Sequence, residues 1–329
     1  MPELTFGMAV VEALAEELRR DPNVIVLGED IRWGGSFGHY RGLFDEFGPE
    51  RIIDTPIAEA GFVAAGLGAA ICGLRPVVSM GFADFCMGAM DELINQIPKI
   101  RYMSGGQVNV PIVIRLADGA VNSTAAQHSS SIEAYFCHVP AFKVLSPSTV
   151  EDARGLLKSA IRDNGPVIYF EHKILGRSKG EVPEGEYLTP IGVGKVRRPG
   201  KDLTIVTYSV MTSRSLEAAN VLADEGIQVE VVELRTLKPW DRELVFESVR
   251  KTQRALVVYE ANRTGGFGAE IAAEIGEQLF EHLVAPVGRV AAKDVPIPFS
   301  PPMEKFVIPQ VENITSGVKA VLDRSVVRG

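Results

Sequence analysis

The chain has 329 residues, with 34 Lys and Arg against 42 Asp and Glu, a formal net charge of −8. Hydrophobic residues make up 46% and charged residues 23%, ordinary for a soluble globular protein long enough for two domains, each with its own core. The acidic balance argues against nucleic acid as the main partner, because phosphate backbones need clustered Lys and Arg. The longest uncharged apolar stretch, 60–74, is too short to cross a bilayer. Cys72, Cys86 and Cys137 show no C-x-x-C spacing and fit reduced thiols in a cytoplasmic protein better than a disulfide framework or zinc site. The N-terminal residues show neither a basic n-region nor a cleavage pattern, so no secretory signal is expected.

In chain order, Thr5 is placed to cap a helix running to about Arg20, with Met8, Val11, Leu14, Ala15 and Leu18 on its apolar face. Asp21-Pro22-Asn23 breaks it. Val24–Leu27 reads as a buried strand and Ile52–Ile53 as a short one. Glu59–Cys72 reads as a helix of small residues without a polar face, expected to be buried on all sides. Val77–Met80 and Pro111–Leu116 are strand candidates. Ser148 with Glu151 suggests a capping box for a helix through Ile161, and Val167–Glu171 closes the series. Residues 172–200 hold Gly, Pro and mixed charge without periodicity, which sets a first domain at 1–175, a linker at 176–200 and a second domain at 201–329. The alternation then resumes, with strands at Leu203–Tyr208, Val229–Glu233, Leu256–Tyr259 and Val287–Ala291. The helices between and after them lie at Thr212–Asp224, Arg242–Arg250, Ala269–Leu279 and Val311–Asp323. Repeated strand–helix–strand units imply an α/β fold of two domains, with parallel sheets flanked by helices.

No G-x-G-x-x-G, Walker or G-x-S-x-G motif stands in the right context. Thr264-Gly265-Gly266-Phe267-Gly268 follows a strand and precedes a helix, and a plain turn explains it better than a phosphate cradle. The five histidines are too dispersed to suggest a transition-metal site. Two segments carry chemistry. In DTPIAEAGF, Glu59 heads the small-residue helix. It either serves the helix dipole or, if desolvated, is suited to sharing a proton. In AAQHSSS, His128 lies in a hydroxyl-rich loop beyond a strand end, either as an active-site group or as a histidine satisfied by neighbouring serines.

DTPIAEAGF, GLRPVV, RYMSGG, AAQHSSS, SAIRDNGPVIYFEHK and EANRTGGFGAEI occur here in the order of one family. Over essentially the full chain the sequence resembles the β subunits of thiamine-diphosphate-dependent 2-oxo acid dehydrogenases. The pyruvate and acetoin branch is the most similar, and the branched-chain branch is an alternative. A mainly structural assembly subunit is a further alternative, against which intact Glu59, Phe85 and His128 weigh.

The resemblance implies a transketolase-like pyrimidine-binding domain, a transketolase C-terminal-type domain and an obligatory α chain in a heterotetramer of two α and two β chains. It also implies docking to a lipoyl acyltransferase core, a 2-oxo acid or acetoin substrate, and no membrane partner. The family's Gly-Asp-Gly diphosphate and magnesium motif is absent, so Mg2+ is expected through the α chain, and this chain alone is not expected to hold the cofactor productively. By resemblance Glu59 hydrogen-bonds the aminopyrimidine and exchanges a proton with it. Phe85 stacks on that ring, Met80 and Gly81 line the pocket, and His128 orients or protonates the substrate or lipoyl group.

Gly88 stands where many relatives have Gln, and ADGAVNST lacks the Arg of their approach loop. The positions matching a potassium site are Ile112, Ala160, Asp163 and Gly165, a set that a helix end and turn explain equally well. His138 is read as structural at a helix end. Asp91 and Glu92 are read as a solvated or interface face rather than an acidic path between active sites.

Overall fold

A computed structural model describes residues 3–324. The chain divides into two compact units, the first formed by Met1–Asp118 with Tyr135–Ile191 and the second by Gly119–Ala134 with Gly192–Gly329.

The chain begins with strand β1 (Glu3–Thr5) and helix α1 (Phe6–Arg20), followed by β2 (Val24–Gly28), α2 (Leu43–Phe47), β3 (Ile52–Asp54), α3 (Glu59–Ile71) and β4 (Arg75–Phe82). After these come α4 (Ile100–Met103), β5 (Val113–Asp118), α5 (Glu133–His138), β6 (Lys143–Leu145), α6 (Val150–Arg162), β7 (Val167–His172) and β8 (Lys179–Glu181). Within the first unit six strands pair in parallel in the order β6-β7-β5-β4-β2-β3. β2, β5 and β7 are buried throughout, as parallel strands covered on both faces must be.

Thr5 caps α1 as expected, its hydroxyl accepting from Met8 N at 3.2 Å. The buried face is rotated from the expected one. Met8 is 53% exposed, whereas Phe6, Ala9, Val10, Ala13, Leu14, Glu17 and Leu18 are inside. The row includes a carboxylate because Glu17 is paired: Arg162 Nη2 reaches it at 2.7 Å and Arg20 Nε at 2.7 Å. The cap of α6 is Thr149, one residue beyond the expected Ser148; its hydroxyl accepts from Asp152 N at 3.2 Å and donates to the Asp152 carboxylate at 2.8 Å.

α3 departs from expectation. Phe62, Val63, Gly66 and Ala70 are buried, but Gly61, Ala64, Ala65 and Gly68 are exposed, and Ile71 is 40% exposed. The helix packs on β4 and on the segments Ala83–Ala89 and Asp91–Gln96 that follow it, and the face carrying Gly61, Ala64, Ala65 and Gly68 is open in the single chain.

In the second unit the elements are β9 (Lys195–Arg198), β10 (Leu203–Thr207), α7 (Met211–Asp224), β11 (Val229–Glu233), β12 (Thr236–Lys238), α8 (Arg242–Thr252), β13 (Ala255–Asn262), α9 (Gly268–Gln278), β14 (Gly288–Ala292), α10 (Pro301–Val307) and α11 (Val311–Asp323). Five strands form a sheet in the order β14-β13-β10-β11-β9, parallel except for the antiparallel edge strand β9. The segment read as a linker is therefore structured at both ends, with β8 paired to β1 and β9 part of the second sheet.

The glycine turn before α9 has a packing cause. A Cβ at Gly268 would lie 2.1 Å from the Tyr259 ring, so the residue serves close contact between helix and strand.

Candidate functional site

The first unit carries a cavity of about 80 Å3 at the end of β4. The strand's two-residue alternation sends Ser79 and Gly81 to its wall, while Met80, 2% exposed, sits in the core and is not among the lining residues. The backbone then turns at Gly81 (φ +63°), a left-handed conformation suited to glycine. A 3-10 segment, Ala83–Ala89, presents Phe85 to the cavity. Phe82 packs edge-on against Phe85 (ring centroids 5.4 Å) and against Phe37 (5.3 Å).

Glu59 is the first residue of α3 and is half-buried. Glu59 is not among the residues lining the cavity, but its charge acts on a carboxyl that is, one that sequence reasoning missed. Glu29, just beyond the end of β2, lines the cavity, and its Oε1 is buried without a partner. Burial pushes its pKa up, and the charges of Glu59 and Asp30 push it further. The available signal was its position just past the carboxyl end of a buried parallel strand, where open α/β sheets bind ligands.

In the wall of the cavity lies a buried ionic cluster that sequence reasoning also missed. Arg115 on β5 and Glu171 on β7, two residues out of register (Arg115 lies opposite Tyr169, Glu171 opposite Ala117), pair through two bonds of 2.7 and 2.9 Å. His39 Nδ1 is 2.8 Å from Glu171 Oε2. Burial alone would raise the Glu171 pKa, but the Arg115 charge and the His39 hydrogen bond win and hold it at about 2. Glu171 is thus an acceptor only, and the shared proton belongs to His39 Nδ1. The Tyr40 ring covers the Arg115 guanidinium at 4.8 Å. Arg115 Nη1, buried and facing this cluster, has no partner.

His128 belongs to the second unit, in the segment Gly119–Ala134. It ends a 3-10 turn, Ala126–His128, and is half-buried. Its carbonyl accepts from Thr124 Oγ1 at 3.2 Å, and the same hydroxyl lies 2.9 Å from Ser129 Oγ. The approach is strained: Asn122, Ser123 and Ala125 all have positive φ, and Ala125 (φ 62°, ψ −169°) adopts a conformation nearly confined to glycine. Distant carboxylates hold the segment in place. Glu260 accepts from Ala120 N at 2.8 Å and Glu304 from Ser123 N at 3.0 Å.

The expected potassium positions gather around the end of α6. Ile112 O accepts from Val167 N at 2.9 Å and Ala160 O from Asp163 N at 3.2 Å. The Asp163 carboxylate is engaged by Gly165 N (2.8 Å) and the Lys143 ammonium, and Arg75 donates to Asp163 O at 3.0 Å. The carbonyls keep a second lone pair, so a cation here would rest on main-chain oxygens. Among the described residues no cluster of three or more His, Cys, Asp or Glu side chains is arranged to hold a metal, and no helix is long and apolar enough to cross a membrane. Asp91 is exposed, with Asn95 and Gln96 donating to its carboxylate and lowering its pKa, which agrees with a surface role. His138 closes α5.

Residues 2–179 match the transketolase pyrimidine-binding domain and residues 192–314 the transketolase C-terminal domain. The chain is 45% identical to a mitochondrial pyruvate dehydrogenase E1 component subunit beta-2 of Oryza sativa subsp. japonica, over 98% of this chain and 88% of that one. It is 44% identical to the β subunit of acetoin:2,6-dichlorophenolindophenol oxidoreductase of Cupriavidus necator, over 97% and 98%. The chain belongs to this family of E1-type β subunits. A solved split-gene transketolase, described as an inactive β4 tetramer, shares the E1-type fold at a TM-score of 0.76 and 28% identity, covering 98% of this chain and 99% of its own.

The family is thiamine-diphosphate-dependent, and the first unit's residues fit a pyrimidine ring. Phe85 offers an aromatic face, and the missing side chain of Gly81 leaves space in front of it, since a Cβ there would lie 4.0 Å from Phe85 Cδ2. Glu29 Oε1 and Arg115 Nη1 are buried polar atoms awaiting partners, as expected where a polar ligand or water completes a site.

Proposed function

We propose that this chain supplies the pyrimidine-binding half of a thiamine diphosphate site in a dehydrogenase acting on pyruvate or acetoin. The observation that carries the reading is Phe85 at the Gly81 cavity, within residues matched to the pyrimidine-binding domain. When bound, the cofactor supplies an electron sink for the pair released on carbon–carbon cleavage.

This chain's residues do the binding and proton work. Phe85 orients an aromatic ring by stacking. Glu59 holds and transfers a proton at its carboxyl oxygens, and Glu29 beside it makes that proton's position sensitive to a second charge. His128 serves as the proton donor or acceptor toward substrate or lipoyl group during acyl transfer. Met80 contributes through the core behind the strand.

An α subunit completes the site with the diphosphate and Mg2+ ligands, in a heterotetramer of two α and two β chains that delivers acyl groups to a lipoyl acyltransferase core in the cytoplasm. Main-chain oxygens of Ile112, Ala160, Asp163 and Gly165 would hold a potassium ion, a hard cation suited to such ligands.

Co-expression with the α chain tests the reading. Reduction of an artificial acceptor is followed with pyruvate, acetoin and 3-methyl-2-oxobutanoate, with and without thiamine diphosphate and Mg2+. Cofactor-dependent turnover that requires both chains is the expected result, and the best substrate names the branch. Turnover by this chain alone, or none from a well-formed complex, overturns it.

A further inference from the structure

The second unit has a groove of about 200 Å3 between β14 and the start of α11, none of whose lining residues has been assigned a role above. Three cations line it, Arg263, Arg289 and Lys293, together with Phe306, Asn313 and Ser316. Arg263 Nη1 donates to Arg289 O at 2.7 Å, and Arg289 Nη1 donates to Arg263 O at 3.1 Å and to Tyr259 OH at 3.2 Å. The two arginines are thus braced side by side through each other's main chain. Lys293 Nζ stands 4.5 Å above the centre of the Phe306 ring.

Among the described residues none of the three forms an ion pair with a carboxylate. Asp294, next in sequence, is engaged chiefly by Thr264 N (2.9 Å) and Thr264 Oγ1 (2.7 Å), and the Arg263 charge acts on it more weakly. One carboxylate, Asp294, lies in the field of Arg263, which leaves the three cations with an excess of positive charge that an entering anion would offset.

We propose that this groove binds a phosphoryl group. Two braced guanidinium forks offer the planar donor pairs that phosphate oxygens favour, and Lys293 adds a point charge. Of the neutral residues lining the groove, Asn313 keeps its amide N–H donors, its oxygen accepting from Gln310 N at 2.8 Å, while the Ser316 hydroxyl already donates to Glu312 O at 2.7 Å. Three cations are too few for a nucleic-acid strand, whose binding commonly uses about 6–10 phosphate contacts. The phosphoryl group comes either as free phosphate or on a small ester whose organic part lies against Phe306, 70% exposed.

The test is calorimetric titration of the full chain with inorganic phosphate and, separately, with ADP, at constant ionic strength set by chloride. Wild type is expected to bind phosphate with a Kd of about 1 mM or tighter. Arg263→Gln and Lys293→Gln, both at exposed positions, should each weaken binding about tenfold, the equivalent of one good charge-assisted contact. Ser316→Asp, which places a carboxylate in the groove, should abolish binding while the thermal midpoint in chloride stays at the wild-type value. ADP binding tighter than phosphate assigns the ester, and equal affinity assigns free phosphate. Glu59→Gln should titrate like wild type, which separates this groove from the pyrimidine site. No phosphate binding by wild type, binding unchanged in all three groove variants, or binding lost in Glu59→Gln overturns the proposal.

Discussion

The two regions assigned to chemistry are built in opposite ways. The Gly81–Phe85 corner of the first unit grows out of regular structure: a buried parallel strand ends, the chain turns, and the aromatic follows. The His128 segment of the second unit has almost no regular structure. It is held by backbone donors bonded to Glu260 and Glu304, at the cost of strained φ angles before the histidine. The first design fixes side chains by packing. The second fixes them by a few long-range hydrogen bonds against local strain, so substitutions there should act locally and mildly, whereas breaking a buried pair in the first should be felt by the whole unit.

The largest expected effect tests the first region's chemistry rather than its stability. Glu59→Gln should lower turnover of the assembled enzyme by about 10²–10⁴-fold, the usual value of positioned acid–base catalysis, with little change in thermal midpoint. Steady-state kinetics beside a melting curve decide it, and near-normal turnover would remove Glu59 from the mechanism.

Next is the ionic cluster in the cavity wall. Glu171→Gln leaves Arg115 buried and unpaired and should cost about 3–5 kcal/mol in denaturant unfolding. The native Glu171 pKa lies below its unfolded value, so its contribution is present above about pH 4.5 and is lost as pH falls toward about 2. The wild-type stability curve should fall across that window, and the variant's should be flatter there.

The second region should respond more mildly. Ala125→Gly removes strain worth about 1–3 kcal/mol and adds unfolded-state entropy worth about 0.5–1 kcal/mol. The expected net is a gain of about 1 kcal/mol; a loss would show that the Ala125 conformation is not strained. Smallest is Glu304→Gln, which weakens one charge-assisted bond to Ser123 N. Hydrogen exchange at residues 119–131 should speed up, corresponding to about 0.5–1 kcal/mol.

The same contrast explains what the sequence revealed. Strands such as Val229–Glu233 and helices such as Val311–Asp323 were legible because apolar runs and periodicity are local. So was the Thr5 cap, three residues from its partner. The Met8 face was misplaced because the pairing of Glu17 with Arg162 spans 145 residues. The His39–Glu171 and Arg115–Glu171 contacts span 132 and 56 residues, and no periodicity encodes such meetings. Glu59, Phe85 and His128 were named through family resemblance; their residue types alone left structural readings open. The outer face of α3 misled for another reason. A stripe of Gly and Ala reads as buried by composition, yet this chain leaves it uncovered.

β9 has a consequence for the life of the chain before assembly. It closes one side of the second sheet, runs against its neighbour, slips register between Val231 and Val232, and carries Lys195, Arg197 and Arg198. A row of free amides on a straight, oily border would recruit stray strands from other chains. A kinked border bearing Lys195 and Arg198, with Arg197 paired to Glu233, is a poorer template. Such a border disfavours edge-to-edge pairing between newly made copies.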